Sequence, residues 1–162
     1  TRYYNNVVFV IKNNSLYNLE LKLQAFAYDE SGNVIEIAEK TEYIIGSGNT
    51  KALEVSFNEK PYSYSYKISV SPSSYSSGYK NLKVESSISG KNAIINMTNN
   101  GSQTIKYAYA YVIFKKGNTV TDFDSTIIGD VNSEIQPGKT EFNQISTYSE
   151  FDNIEIYYEC RY

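Results

Sequence analysis

The 162-residue chain contains no histidine, no tryptophan, one cysteine, one methionine and three prolines. Without imidazole, a Ser-His-Asp arrangement is impossible, and G-x-S-x-G does not occur. Without histidine or a cysteine pair there is no zinc-type ligand cluster. The absence of indole leaves tyrosine as the ring for stacking on sugars. A lone cysteine closes no intrachain disulfide, so the redox compartment is left open. With only Arg161 and Tyr162 after Cys160, no prenylation signal is expected. No stretch approaches the roughly 18 apolar residues of a membrane-spanning helix, and no basic-then-apolar leader opens the chain. The first residue is Thr rather than Met, so the chain reads as a mature or excised segment. Positive charge is also short: 15 Lys and Arg stand against 18 Asp and Glu, a net −3 that disfavours phosphate backbones and hence nucleic acid.

The residues present point to a folded, strand-rich protein. Hydrophobic residues make up 41% and charged residues 20%, enough apolar surface to bury a core. Seventeen tyrosines favour strands, and abundant Ser and Asn compete with helix by bonding to nearby backbone. Long helices are therefore expected to be absent. Only Asp29 to Lys40 is weakly helix-compatible, and Ser31-Gly32-Asn33 breaks it.

The chain repeats itself at a spacing of about 86 residues. NNVVFVIKNNS (Asn5 to Ser15) aligns with KNAIINMTNNG (Lys91 to Gly101), both alternating strands that end in an Asn-Asn turn. At the same offset Leu19, Leu21, Leu23, Ala25 and Ala27 fall on Ile105, Tyr107, Tyr109, Tyr111 and Ile113, which predicts a core-facing row of tyrosines. ESGNVI (Glu30 to Ile35) and KKGNTV (Lys115 to Val120) are Gly-Asn hairpin turns one residue out of phase. Ile45 to Thr50 matches Ile135 to Thr140 at an offset of 90. Units of this size with turns every 8 to 12 residues predict an all-β chain of two tandem immunoglobulin-like antiparallel sandwiches, residues 1–75 and 79–162. Ser71 to Gly78, rich in Ser and uncharged, is the expected linker. The strand Leu82 to Ile88 has its first-copy counterpart mostly before Thr1, so the first strand of the first sandwich is expected to be truncated, with Thr1 to Tyr4 as a stub.

AYDESGNVI (Ala27 to Ile35), followed by a Gly-Thr turn and a strand ending in Phe57, resembles the FxLYD-type immunoglobulin-like domains of bacterial secreted and cell-surface proteins. IFKKGNTV (Ile113 to Val120) and IQPGKTEF (Ile135 to Phe142) carry the likeness into the second copy, where Phe114-Lys115 replaces Tyr-Asp. The resemblance implies a non-catalytic protein of a Gram-positive envelope, extracellular or attached to the cell surface. Richness in Asn, Lys, Ile and Tyr also suits an AT-rich genome.

Among candidate sites, Tyr62, Tyr64 and Tyr66 alternate with serines, and Tyr75 lies within the Ser-rich stretch with Tyr79 at its end. Tyr and Ser together form the adaptable mixture of binding loops, so these five are the candidate ligand-binding residues, although a half-buried strand with wet hydroxyls is the simpler reading of the first three. Asp122, Asp124 and Asp130 lack EF-hand spacing and read as solvated loop carboxylates, so no metal and no cofactor are expected. Cys160 reads as a small core hydrophobe. The expected function is therefore non-catalytic: a spacer, or an adhesion and ligand-binding module for a protein or glycan, without membrane insertion. A carbohydrate-binding accessory module using the exposed tyrosines is the alternative. An unfilled edge in the first sandwich would invite self-association or capture of an extended peptide.

Overall fold

A computed structural model describes residues 5–162, and strands dominate them. The N-terminal half contains β1 (Asn5–Lys12), β2 (Leu19–Tyr28), β3 (Val34–Ile45), β4 (Thr50–Phe57) and β5 (Ser63–Pro72). After a single 3-10 turn, Tyr79–Asn81, come β6 (Leu82–Ser89), β7 (Asn92–Asn99), β8 (Ile105–Lys116) and β9 (Thr119–Ile128). The chain ends with β10 (Glu134–Ile135), β11 (Thr140–Ser146) and β12 (Asn153–Arg161). All pairings are antiparallel, in the orders β1-β4, β3-β2-β5, β6-β7-β11 and β9-β8-β12, with β10 also on β8. Gly32 (φ 82°) and Gly117 (φ 57°) supply the left-handed residues of the β2-β3 and β8-β9 hairpins, as the Gly-Asn turns require.

Period-two alternation sends one face of each sheet inward. In the first half Leu21, Leu23, Ala25 and Ala27 of β2 pack against Phe9, Leu53, Val55 and Phe57 of β1 and β4. In the second, Ala108, Ala110, Val112 and Phe114 of β8 pack against Ala93, Ile95 and Met97 of β7. The result in each half is sandwich-like. One polar device recurs. The buried Asn13 amide donates to the carbonyls of Tyr17 and Ile45, and the buried Asn99 amide donates to those of Gln103 and Ile135. The flanking backbone bonds recur as well, Gly48 N–H to Asn13 O and Gly138 N–H to Asn99 O. A buried amide held this way ties the end of one strand to the turn that enters the facing one.

The outward face of β1-β4 lies on the outward face of the β8 sheet. Ala52 is buried there with Tyr111 and Ile113, and Val8, Phe123 and Tyr157 pack around them. The halves thus stack side-on, sheet against sheet.

One expectation is corrected. The β8 tyrosines do not face the core: Tyr107 has φ 48° and the β8-β12 register shifts beside it, a bulge that turns Ala108, Ala110 and Val112 inward and Tyr107, Tyr109 and Tyr111 outward. Within the Ser-rich stretch, Ser71 and Pro72 belong to β5 and Ser77 bridges to Arg161. The turn expected at Glu30 to Ile35 is present, and β3 starts at Val34. Thr1 to Tyr4 lie outside the described residues.

Candidate functional site

Two surfaces stand out, the inward side of β5 and a cleft between the halves. β5 pairs with β2 so that Tyr64, Tyr66, Ile68 and Val70 lie opposite Ala27, Ala25, Leu23 and Leu21. They therefore share the inward face of the sheet, yet remain 53%, 59%, 37% and 56% exposed. No β5 side chain belongs to the first core. Tyr64 and Tyr66 meet the Phe9 ring edge-on, at centroid distances of 6.4 and 5.3 Å, so they flank β1 without being covered. Tyr62 is exposed just before the strand, its backbone N–H bonded to Tyr28 O.

The equivalent strand of the second half is covered. On β12, Ile154, Ile156 and Tyr158 pack into the core, and Leu82 and Val84 of β6 reach the same cluster. β6 runs antiparallel to β7, with Leu82 opposite Asn99 and Val84 opposite Met97. In the first half β1 occupies the place of β7, and among the described residues no strand pairs with its second edge. The exposure of β5 follows from that difference.

The cleft has a volume of about 290 Å³ and runs between β3 and the outward face of β8, at the small end for ligand pockets. Tyr109 and Tyr111 stack at 6.1 Å along it. The Arg161 guanidinium lies over the rings of Tyr107 at 4.3 Å and Tyr75 at 4.7 Å. Lys51, only 3% exposed, is paired with Glu42 and sits 5.0 Å from the Tyr111 ring. Burial, with Glu42 nearby, drives the Tyr111 hydroxyl far above its ordinary range, so this ring presents a neutral donor.

Of the five tyrosines singled out in the sequence, Tyr64 and Tyr66 share one surface with Tyr62 beside them, and Tyr75 borders the cleft through Arg161. Tyr79 has a different task. Its hydroxyl donates to Ser47 O and its ring leans on Tyr158, so it joins the halves. The centre of that junction is Glu159, which is 1% exposed. Its carboxylate accepts from Gly46 N–H at 2.6 Å, the Asn49 amide at 3.1 Å, its neighbour's Cys160 N–H at 2.9 Å and the Ser77 hydroxyl. A buried charge held by this many donors replaces its lost hydration. Gly46 must be glycine for the approach, because an added Cβ would stand 2.6 Å from both Ser77 Oγ and a Tyr79 ring carbon.

The remaining candidates are occupied locally. Asp122 accepts from Phe123 N–H and the Thr147 hydroxyl, Asp124 from Ser125 N–H, and Asp130 from Asn132 and Glu134 N–H. Cys160 is buried, and burial together with Glu159 pushes its thiol well above the usual range, which makes it unreactive. Glu54 on β4 is held above its ordinary pKa of 4.5, first by burial and then by Asp122 and Asp124, with Asn6 and Lys40 acting the other way.

No family model matches the chain, and no curated protein does. Among solved structures it is similar to a crystal structure of red sea bream transglutaminase, at 10% identity and a TM-score of 0.32, spanning 96% of this chain and only 27% of that one. So distant a likeness carries no function. Ile68, Val70, Glu159 and the outward β8 tyrosines were not singled out as surface or junction residues by their sequence. The Tyr-Ala alternation of β8 offers an apolar face on either side, which conceals its orientation.

Proposed function

We propose that the chain is a non-catalytic binding module made of two immunoglobulin-like sandwiches in tandem, of the FxLYD type, working outside the cell or in its envelope. The observation that carries this reading is the row Tyr64, Tyr66, Ile68 and Val70, inward-facing by register and yet exposed. Rows of this kind on a rigid sheet are what recognition surfaces use. The recurrence of the Asn13 and Asn99 corners supports the tandem organisation. Side-on stacking of the halves favours binding over a pure spacer, because a spacer gains reach by stacking end to end. A glycan-binding role has its own support in the stacked Tyr109 and Tyr111 beside Lys51 and Arg161.

A displayed peptide library and a glycan array, probed with the wild-type chain and with a Tyr64→Ser/Tyr66→Ser variant, test the reading. Selected peptides are expected to bind the wild type and to lose about tenfold or more in affinity for the variant, as truncated aromatic anchors do. Glycan binding abolished by Tyr109→Ala and indifferent to the double variant would favour the cleft instead. No binder in either format would remove the proposal.

A further inference from the structure

Two side chains that line the cleft between β3 and β8 are buried with hydrogen-bonding capacity to spare. Lys51 is 3% exposed, and among the described residues its ammonium, a triple donor, meets one acceptor, the Glu42 carboxylate. Tyr111 is 8% exposed, and its hydroxyl, kept protonated by burial, bonds to no described residue. Among those residues no fully enclosed polar side-chain atom is left without a partner. The Tyr111 hydroxyl therefore keeps its access through the cleft that it lines. Donors held in this way are costly unless an acceptor reaches them.

The rest of the lining decides what that acceptor belongs to. Tyr109 is stacked on Tyr111 with 21° between the rings and is still 37% exposed, while Tyr107 is 40% exposed. Open tyrosine faces suit the C–H face of a sugar ring. Thr41 and Ser125 add hydroxyls, and Glu42 an acceptor, the mixture that a polyol requires. Arg161 makes no ion pair with a described residue. Its guanidinium lies over Tyr107 and Tyr75, which orient the fork and leave its N–H edges for an anion. Lys40, Lys51 and Arg161 outnumber Glu42 and Glu159 here, an excess of positive charge on a chain of net charge −3. Each oxygen of Glu159 already takes two donors. A planar carboxylate is the anion that matches a guanidinium fork, and about 290 Å³ admits a ligand of monosaccharide size. Resting on the glycan reading of this cleft, we infer that it takes an acidic sugar: the carboxylate of a uronic acid meets Arg161, its ring lies on Tyr109, and its hydroxyls accept from Lys51 and Tyr111. An acidic peptide brings the carboxylate without the ring hydroxyls, so it satisfies only one end of the cleft.

The test is an NMR titration of the 162-residue chain with glucuronate and galacturonate, the matching neutral glucose and galactose, acetate, and the tripeptide Gly-Glu-Gly. At least one uronic acid is expected to shift the amides of Lys40 to Ile44 and Tyr107 to Tyr111 saturably, and to bind about tenfold or more tightly than its neutral counterpart, as a charge-assisted hydrogen bond gives. Acetate and the tripeptide should not saturate over the same range. Arg161→Gln should leave the acidic and neutral sugars equal, and Tyr109→Ala should weaken both. If Arg161→Gln does not fold, Arg161→Lys, which keeps the charge and loses the fork, should also lose most of the preference. Equal binding of acidic and neutral sugars, a preference that survives loss of the guanidinium, binding of the tripeptide as tight as that of the uronic acid, or shifts confined to Tyr62 to Val70 would each overturn the inference. If neutral sugars bind the cleft through Tyr109 and the carboxylate adds nothing, the acidic-sugar inference fails and the glycan reading survives. If no sugar binds, both fail.

Discussion

At the scale of single residues, the polar groups that matter most are those with no water to fall back on. Glu159 joins the two halves because four donors from Gly46, Asn49, Ser77 and Cys160 converge on it. Glu159→Ala should lower the unfolding free energy by about 3 kcal/mol, the usual cost of orphaning partners of a buried charge, as read by urea denaturation. No loss beyond about 0.5 kcal/mol would show that water replaces the carboxylate. Glu54 behaves in the opposite sense. Burial raises its pKa in the folded state above the ordinary 4.5, so the fold binds this proton more tightly than the unfolded chain does. Ionising Glu54 at neutral pH therefore weakens the fold, and the penalty fades as pH falls through the raised value toward the ordinary one. Glu54→Gln should raise the denaturation midpoint at pH 7 and lose that advantage near pH 4. A variant that is less stable at pH 7 would mean that the Asn6 and Lys40 contacts outweigh burial.

At the scale of strands, exposure separates elements that sequence treats as equals. β5 and β12 both alternate apolar residues, and nothing in either pattern says whether a third strand covers them. Ile68→Ser on β5 should change stability by less than about 0.5 kcal/mol, while Ile156→Ser on β12 should cost about 1–2 kcal/mol through lost burial. Equal losses in thermal or urea unfolding would place β5 in the core after all. The strands and hairpins themselves were legible, because alternation and Gly-Asn turns are local signals. The Asn-Asn ends of β1 and β7 marked the recurring corner, although its long-range carbonyl partners appear only in the fold. The facing of β8 was not legible. A one-residue bulge at Tyr107 flips every side chain beyond it, and Tyr, Ala, Val and Ile can fill either face. Tyr64 and Tyr66 were visible as a Tyr-Ser alternation, whereas Ile68 and Val70 looked like ordinary core residues until the missing cover was seen.

At the scale of the whole molecule, the chain is two sandwich-like halves pressed side by side, of which the second is closed over β12 and the first is open over β5. The open face and the edge of β1, unpaired among the described residues, together carry the functional reading, so the contrast between the halves is what must be measured. Amide hydrogen exchange of the unliganded chain, resolved residue by residue, compares β1 directly with β7. Amides of Val7 to Lys12 that do not bond β4 should exchange at least about a hundredfold faster than their counterparts in Ala93 to Thr98, which β6 and β11 hold on both sides. Equal protection on β1 and β7 would mean that the first half is already closed, and would contradict the site at its foundation.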